Sequence, residues 1–142
     1  MATKALATYD PGKVVVTIGP SFAVVDGFAD GTFVNITTPD LYESTAGVNA
    51  VARVKKTDRR CQITLTLLQT SNANLTLSGI RTLDVGGNGV GPCIIKDGSG
   101  NSLFMALTTW IRKGPDVTYG TEIENREWVL ESDDFEVIDG GN

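Results

Sequence analysis

The chain has 142 residues, 41% of them hydrophobic, with 12 Lys+Arg, 17 Asp+Glu and no His, a formal net charge of −5. That length suits one domain, residues 1–142, with enough apolar material for a single core without staples. The absence of histidine excludes Ser-His-Asp and Cys-His catalysis, His-ligated zinc or haem, and imidazole pH switching.

The 17 Thr, 14 Val and 9 Ile, set beside 16 Gly and 5 Pro, favour strands joined by tight turns. In chain order, KVVVTI from Lys13 and TFVNIT from Thr32 read as strands separated by the turn formers Gly19-Pro20 and Asp26-Gly27 through Asp30-Gly31, an opening hairpin or meander. Residues 39–50 show no clean period. In CQITLTLL, Ile63, Leu65 and Leu67 alternate with Gln62, Thr64 and Thr66, the pattern of a half-buried strand. Between Ser71 and Val85 the period changes. Thr76, Ile80 and Leu83, with Leu77 beside them, suit one short helix with Ser71, Asn72 and Asn74 as cap candidates and Gly86-Gly87 at its end.

PCIIK and SLFMALTTWI are further strands, joined through the hairpin signal Asp97-Gly98-Ser99-Gly100-Asn101. In the second run Leu103, Met105, Leu107, Thr109 and Ile111 share one face while Phe104, Ala106, Thr108 and Trp110 share the other. Both faces are apolar, which predicts a strand covered on both sides. EIENREWVLE and FEVI complete the strands, and there is no internal repeat or linker.

The motifs that suggest chemistry have simpler readings. Gly86-Gly87-Asn88-Gly89-Val90-Gly91 fits neither dinucleotide nor Walker spacing and follows a helix instead of opening one, so it reads as a flexible connection. Asp97, Ser99 and Asn101 resemble the start of a calcium loop, but position 108, where a bidentate Glu is needed, is Thr. Asp133-Asp134 reads as a solvated turn. Cys61 and Cys93 lie in strand-like runs and read as reduced core thiols, with no disulfide, metal site or cofactor implied. The N-terminal stretch lacks a signal-peptide apolar region and no run approaches a membrane span, so the expectation is a soluble, reducing compartment and no membrane anchor.

Charge placement is more informative. Arg53, Lys55, Lys56, Arg59 and Arg60 stand against the single acid Asp58, whereas from Asp116 to the C-terminus nine acids, among them Glu122, Glu124 and Glu127, stand against Arg126 alone. The two segments either pair within the subunit as neighbouring strands, merely face water, or meet the opposite segment of another copy. In the last case the contact is heterologous and generates rings or filaments. A conventional nucleic-acid binder is disfavoured by the acidic sign.

Several pieces then resemble the tail tube proteins of contractile-tailed bacteriophages across nearly the whole chain. They are Tyr9-Asp10-Pro11-Gly12-Lys13-Val14, Gly27-Phe28-Ala29-Asp30-Gly31-Thr32-Phe33, Leu68-Gln69-Thr70-Ser71, Gly89-Val90-Gly91-Pro92, Trp110-Ile111-Arg112-Lys113, Glu127-Trp128-Val129-Leu130 and the terminal Gly140-Gly141-Asn142. Departures occur at Asn49-Ala50 and at Asn72-Ala73-Asn74-Leu75. The resemblance implies a mainly β subunit, an antiparallel β-sandwich or barrel-like tail tube fold with one short flanking α-helix. It further implies hexameric rings that stack into a tube within a sheath, meet baseplate and tail-terminator proteins, assemble in the bacterial host cytoplasm, and pass double-stranded DNA without tight binding. One subunit cannot enclose a duplex, since a closed barrel of ~8 strands holds only side chains and an aqueous channel needs ~16 or more.

On this reading the chain is a structural virion protein and not an enzyme. Arg53, Lys55, Lys56, Arg59 and Arg60 meet Glu122, Glu124 and Glu127 across subunit interfaces, and much of the acidic excess faces the bore or the ring-to-ring contact. The alternatives are a baseplate or tail-terminator ring protein of the same fold, and a monomeric β-sandwich binding module using Trp110, Trp128 and Tyr119.

Overall fold

The computed structural model describes residues 6–141. Its strands are β1 (Val14–Ile18), β2 (Ala23–Val25), β3 (Val34–Thr37), β4 (Tyr42–Ala46), β5 (Val51–Lys55), β6 (Cys61–Leu68), β7 (Gly91–Asp97), β8 (Leu103–Lys113), β9 (Asn125–Ser132) and β10 (Glu136–Ile138), with one helix, α1 (Ala73–Val85). All pairings are antiparallel. The fold is mainly β with one flanking helix, as the sequence leads one to expect.

One sheet runs in the order β2-β1-β7-β8-β9-β6-β3, and β10 pairs the first part of β8. The chain then crosses from the β2 edge to the β6 edge through residues 27–29. Leu68 N–H donates to Gly27 O at 2.9 Å and Ala29 N–H to Thr66 O at 3.0 Å, which brings the two edges together into a barrel-like form. The crossing needs glycine. Gly27 has φ +76°, and a Cβ there would collide with the Ser71 side chain at the start of α1. The first and third strands therefore do not pair as an opening hairpin. The partner of β1 is β2, which the turn-rich residues 19–31 conceal, and β3 lies on β6 at the far edge.

The curled sheet encloses one core. Val16, Ile18, Ile95, Cys93, Phe104 and Ala106 come from one half, Ile63, Leu65, Leu67, Trp128 and Leu130 from the other, and Leu77 and Ile80 of α1 close it. Alternation along β6 is as expected, with Ile63, Leu65 and Leu67 fully buried. The inward stripe of α1 is Ala73, Leu77 and Ile80, an i, i+4, i+7 row, so Leu83 faces solvent and Thr76 is half-buried. Ser71 supplies the side-chain cap, its Oγ accepting from Ala73 N–H at 3.2 Å. Asn72 holds the cap position without a side-chain bond. The glycine run after α1 is not loose. Gly89 is buried, and a Cβ there would overlap Asp84 and the carbonyl of Ile80.

Strand β8 departs from a simple two-faced reading. Its partner register on β7 goes from Ala106↔Cys93 to Thr109↔Gly91, three steps against two, so one extra residue is inserted near Leu107 and Thr108. A one-residue insertion exchanges the faces. Phe104 and Ala106 point inward before the bulge and Thr109 and Ile111 after it, while Leu107 and Thr108 both turn outward. The alternate sets predicted from period two hold only on each side of the bulge.

Both cysteines are free and buried, and burial pushes the Cys93 thiol up to about 12 and raises that of Cys61. The thiolate is the reactive form. Native protein will therefore leave both thiols unmodified by an aromatic disulfide reagent at pH 8 over the time in which urea-unfolded protein reacts with both. Rapid native labelling at either position would contradict this burial.

Candidate assembly interface

Residues 40–55 form a feature that periodicity does not reveal. Strands β4 and β5 pair only with each other, in the register Tyr42↔Lys55 through Ala46↔Val51, as a separate two-stranded sheet. Every residue of both strands is exposed. Val48 is 100% exposed, Val51 74% and Val54 65%. An isolated hairpin in water is marginal at best, and exposed apolar residues concentrated on a projecting element mark a contact surface.

One ion pair joins the arm's root to the barrel, and two more lie within the arm and its root. Arg59 Nε donates to Asp134 Oδ1 at 2.9 Å, and its guanidinium lies 4.6 Å from the centre of the Phe135 ring. Arg60 is bidentate to Asp58, two residues before it, Nε donating to Oδ1 and Nη2 to Oδ2. Lys56 Nζ is 3.3 Å from Glu43 Oε1. Further out, Arg53 stacks 4.1 Å above the Tyr42 ring. The basic segment thus divides: Arg59 anchors the arm's root to the barrel, Arg60 pairs with Asp58 within the root itself, Lys56 pairs across the arm, and Arg53 and Lys55 point out with no ion pair among the described residues. Glu122, Glu124 and Glu127 are exposed and form no ion pair with any of these bases among the described residues. They lie where β9 begins opposite Leu68, whereas the arm enters at Cys61 opposite Ser132. At ~3.4 Å per residue these ends of the β6–β9 ladder are roughly 24 Å apart.

The root pairs set a pH dependence. The Arg60 side-chain bonds, then its backbone N–H, hold the Asp58 carboxyl down at about 2, and Arg59, then Phe135 N–H, hold that of Asp134 below its ordinary value. Depressed carboxylates contribute fully above the unfolded carboxylate range near 4 and lose that contribution as pH falls through the folded value. The Asp58–Arg60 pair should therefore persist at pH 4 and be lost toward pH 2, and the Asp134–Arg59 pair should survive below the ordinary carboxylate range before it too is lost. A carboxyl-carbon NMR titration should place the Asp58 midpoint near 2; a midpoint in the ordinary range would show that the Asp58–Arg60 pair is not formed in solution.

Other candidate groups are occupied. Asp134 Oδ1 also accepts from Phe135 N–H at 2.8 Å, so the Asp133-Asp134 pair is a turn with one carboxylate already committed. Asp97 Oδ1 accepts from the Ser99 N–H and hydroxyl, which makes the suspected calcium loop a hairpin turn. Trp128 is 1% exposed and donates Nε1–H to Asn74 Oδ1 at 2.9 Å, so it cannot serve as a contact aromatic of a binding module. Among the described residues no helix is long and apolar enough to cross a membrane.

Fold and surface together define a mainly antiparallel β domain, barrel-like, from which a charged and apolar hairpin projects. The chain is 25% identical over 145 residues to "Structural protein ORF10" of Pseudomonas phage KPP10, covering 96% of this chain and 84% of that protein. In fold it is similar to the cryo-EM structure of the anti-feeding prophage cap, the tube-terminating cap, with a TM-score of 0.60 at 12% identity over 97% of this chain and 95% of that one. No family model matches the chain.

Proposed function

We propose that this protein is a non-enzymatic structural component of a phage-type tail, a subunit that joins identical copies head to tail into hexameric rings stacked as the inner tube. The observation that carries this reading is the projecting arm, whose strands pair with each other and, among the described residues, with no strand of the barrel. The similarity to a phage structural protein over 96% of this chain supports the class. A net charge of −5 suits a bore through which a duplex slides, because a basic wall would bind DNA by counterion release. Sheath, baseplate and terminator proteins are the further partners of such a tube, and the virion is its place of work.

The second reading is a terminating ring, favoured by the fold similarity to a tube-terminating cap. Negative-stain microscopy of concentrated purified protein separates the two. Stacked tubes of constant bore are expected for a tube subunit and discrete single rings for a terminator. Protein that stays at 15.1 kDa at every concentration would overturn both.

A further inference from the structure

We infer that the β4–β5 arm of one copy docks in an acid-rimmed apolar groove beside the β8 bulge of a second copy. This inference deepens the assembly reading above and rests on it. The groove, about 320 Å³, lies between β8 and the corner that links β9 to β10, and is lined by Met105, Leu107, Thr108, Asp133, Asp134, Phe135 and Glu136. Ser132 is fully buried and fixes that corner, its hydroxyl 2.9 Å from Thr108 O and 2.6 Å from Asp134 O.

Leu107 is 72% exposed in the middle of the longest strand because the bulge turns it outward. Bulges commonly re-aim a side chain toward a contact. Met105 and Phe135 continue its apolar floor. On the rim, Asp134 is held by Arg59 of its own chain, whereas Asp133 and Glu136 form no ion pair among the described residues.

The arm offers the matching surface. Partners across an antiparallel pair share a face, so Tyr42, Ser44, Ala46, Val51, Arg53 and Lys55 lie together. That face has an apolar tip, two bases and no acid, while the other carries Glu43 with Val54, Thr45 and Ala52. Val51 and Tyr42 match the apolar floor, and Arg53 and Lys55 match Asp133 and Glu136. The occupant is a second copy: the bases that match the acidic rim and the apolar residues that match the floor lie on this chain's own arm, and none of the arm's residues lines the groove of the same chain. An arm and a groove on each subunit form a heterologous contact that propagates from copy to copy.

The test mixes Val51→Cys protein with Leu107→Cys protein under mild oxidation, the two native thiols being buried. A disulfide-linked dimer in the mixture, and in neither variant alone, is expected. In parallel, Asp133→Lys with Glu136→Lys should raise the concentration needed for assembly about tenfold or more, and Arg53→Glu with Lys55→Glu in the same chain should restore it. Circular dichroism checks that each variant folds. Assembly unchanged by reversal of the rim, assembled material without the cross-link, or sensitivity to reversal of Glu122 and Glu124 instead would each overturn the groove as receptor and leave the assembly reading standing. Wild-type protein that never assembles would overturn the assembly reading itself.

Discussion

Replacing Trp128 by alanine will lower stability by about 3–5 kcal/mol, a large share of the roughly 5–15 kcal/mol that a domain has in total. Trp128 is among the largest fully buried side chains, and it ties α1 to the sheet. Its Nε1–H meets Asn74 Oδ1 at 2.9 Å, Asn74 Nδ2 donates in turn to Leu68 O at 2.9 Å, and the Arg81 guanidinium stands 5.3 Å from its ring centre. Truncation opens a cavity where the helix, β6 and β9 converge and also orphans the Asn74 carbonyl. Trp128→Phe retains most of the ring and removes the donor, with an expected loss of about 1–3 kcal/mol. Thermal unfolding should then show a fall in Tm of roughly 10 °C for alanine and a few degrees for phenylalanine. Equal losses for the two variants would mean that the hydrogen bond, and not the packing, dominates.

The strands that alternate cleanly were legible because burial on one face leaves a period of two, as in Ile63, Leu65 and Leu67 on β6. The helix was legible from its change of period and its terminal glycines, although its inward stripe falls on Ala73, Leu77 and Ile80 and leaves Leu83 outside. Three features escaped for physical reasons. Strand β2 is three residues long within a turn-rich segment, too short to show a period. The bulge in β8 inserts one residue into a run that is apolar on both faces, so the exchange of faces leaves no trace in composition. The arm has no buried face, and without one-sided burial β4 and β5 carry no alternation. The basic run from Arg53 to Arg60 stood out in the sequence as a charged patch and not as a hairpin, and nothing in it separates Arg59, which anchors the root, from Arg53 and Lys55, which point out. Trp128 illustrates the reverse, a residue that reads equally as contact aromatic or core until its burial is known.

Removing the arm will separate folding from assembly more sharply than any point substitution. In the variant, residues 43–54 are replaced by an Asn-Gly turn between Tyr42 and Lys55, which already face each other across the hairpin. None of the deleted residues is buried, and the core contains none of them. The anchoring pair Arg59 with Asp134 remains. A shorter excursion also costs slightly less closure entropy, on the order of a few tenths of a kcal/mol. Tm should therefore stay within about 2 °C of wild type. Assembly should respond quite differently, because the deletion removes Ala46, Val51 and Arg53 from a contact repeated at every subunit. The concentration needed for rings or tubes, followed by light scattering and microscopy, should rise at least about 100-fold, equivalent to roughly 2.7 kcal/mol per contact. An armless chain that assembles at the wild-type concentration would move the contact to the sheet edges or the outer helix face. One that unfolds would make the hairpin part of the domain's own stability, against its complete exposure.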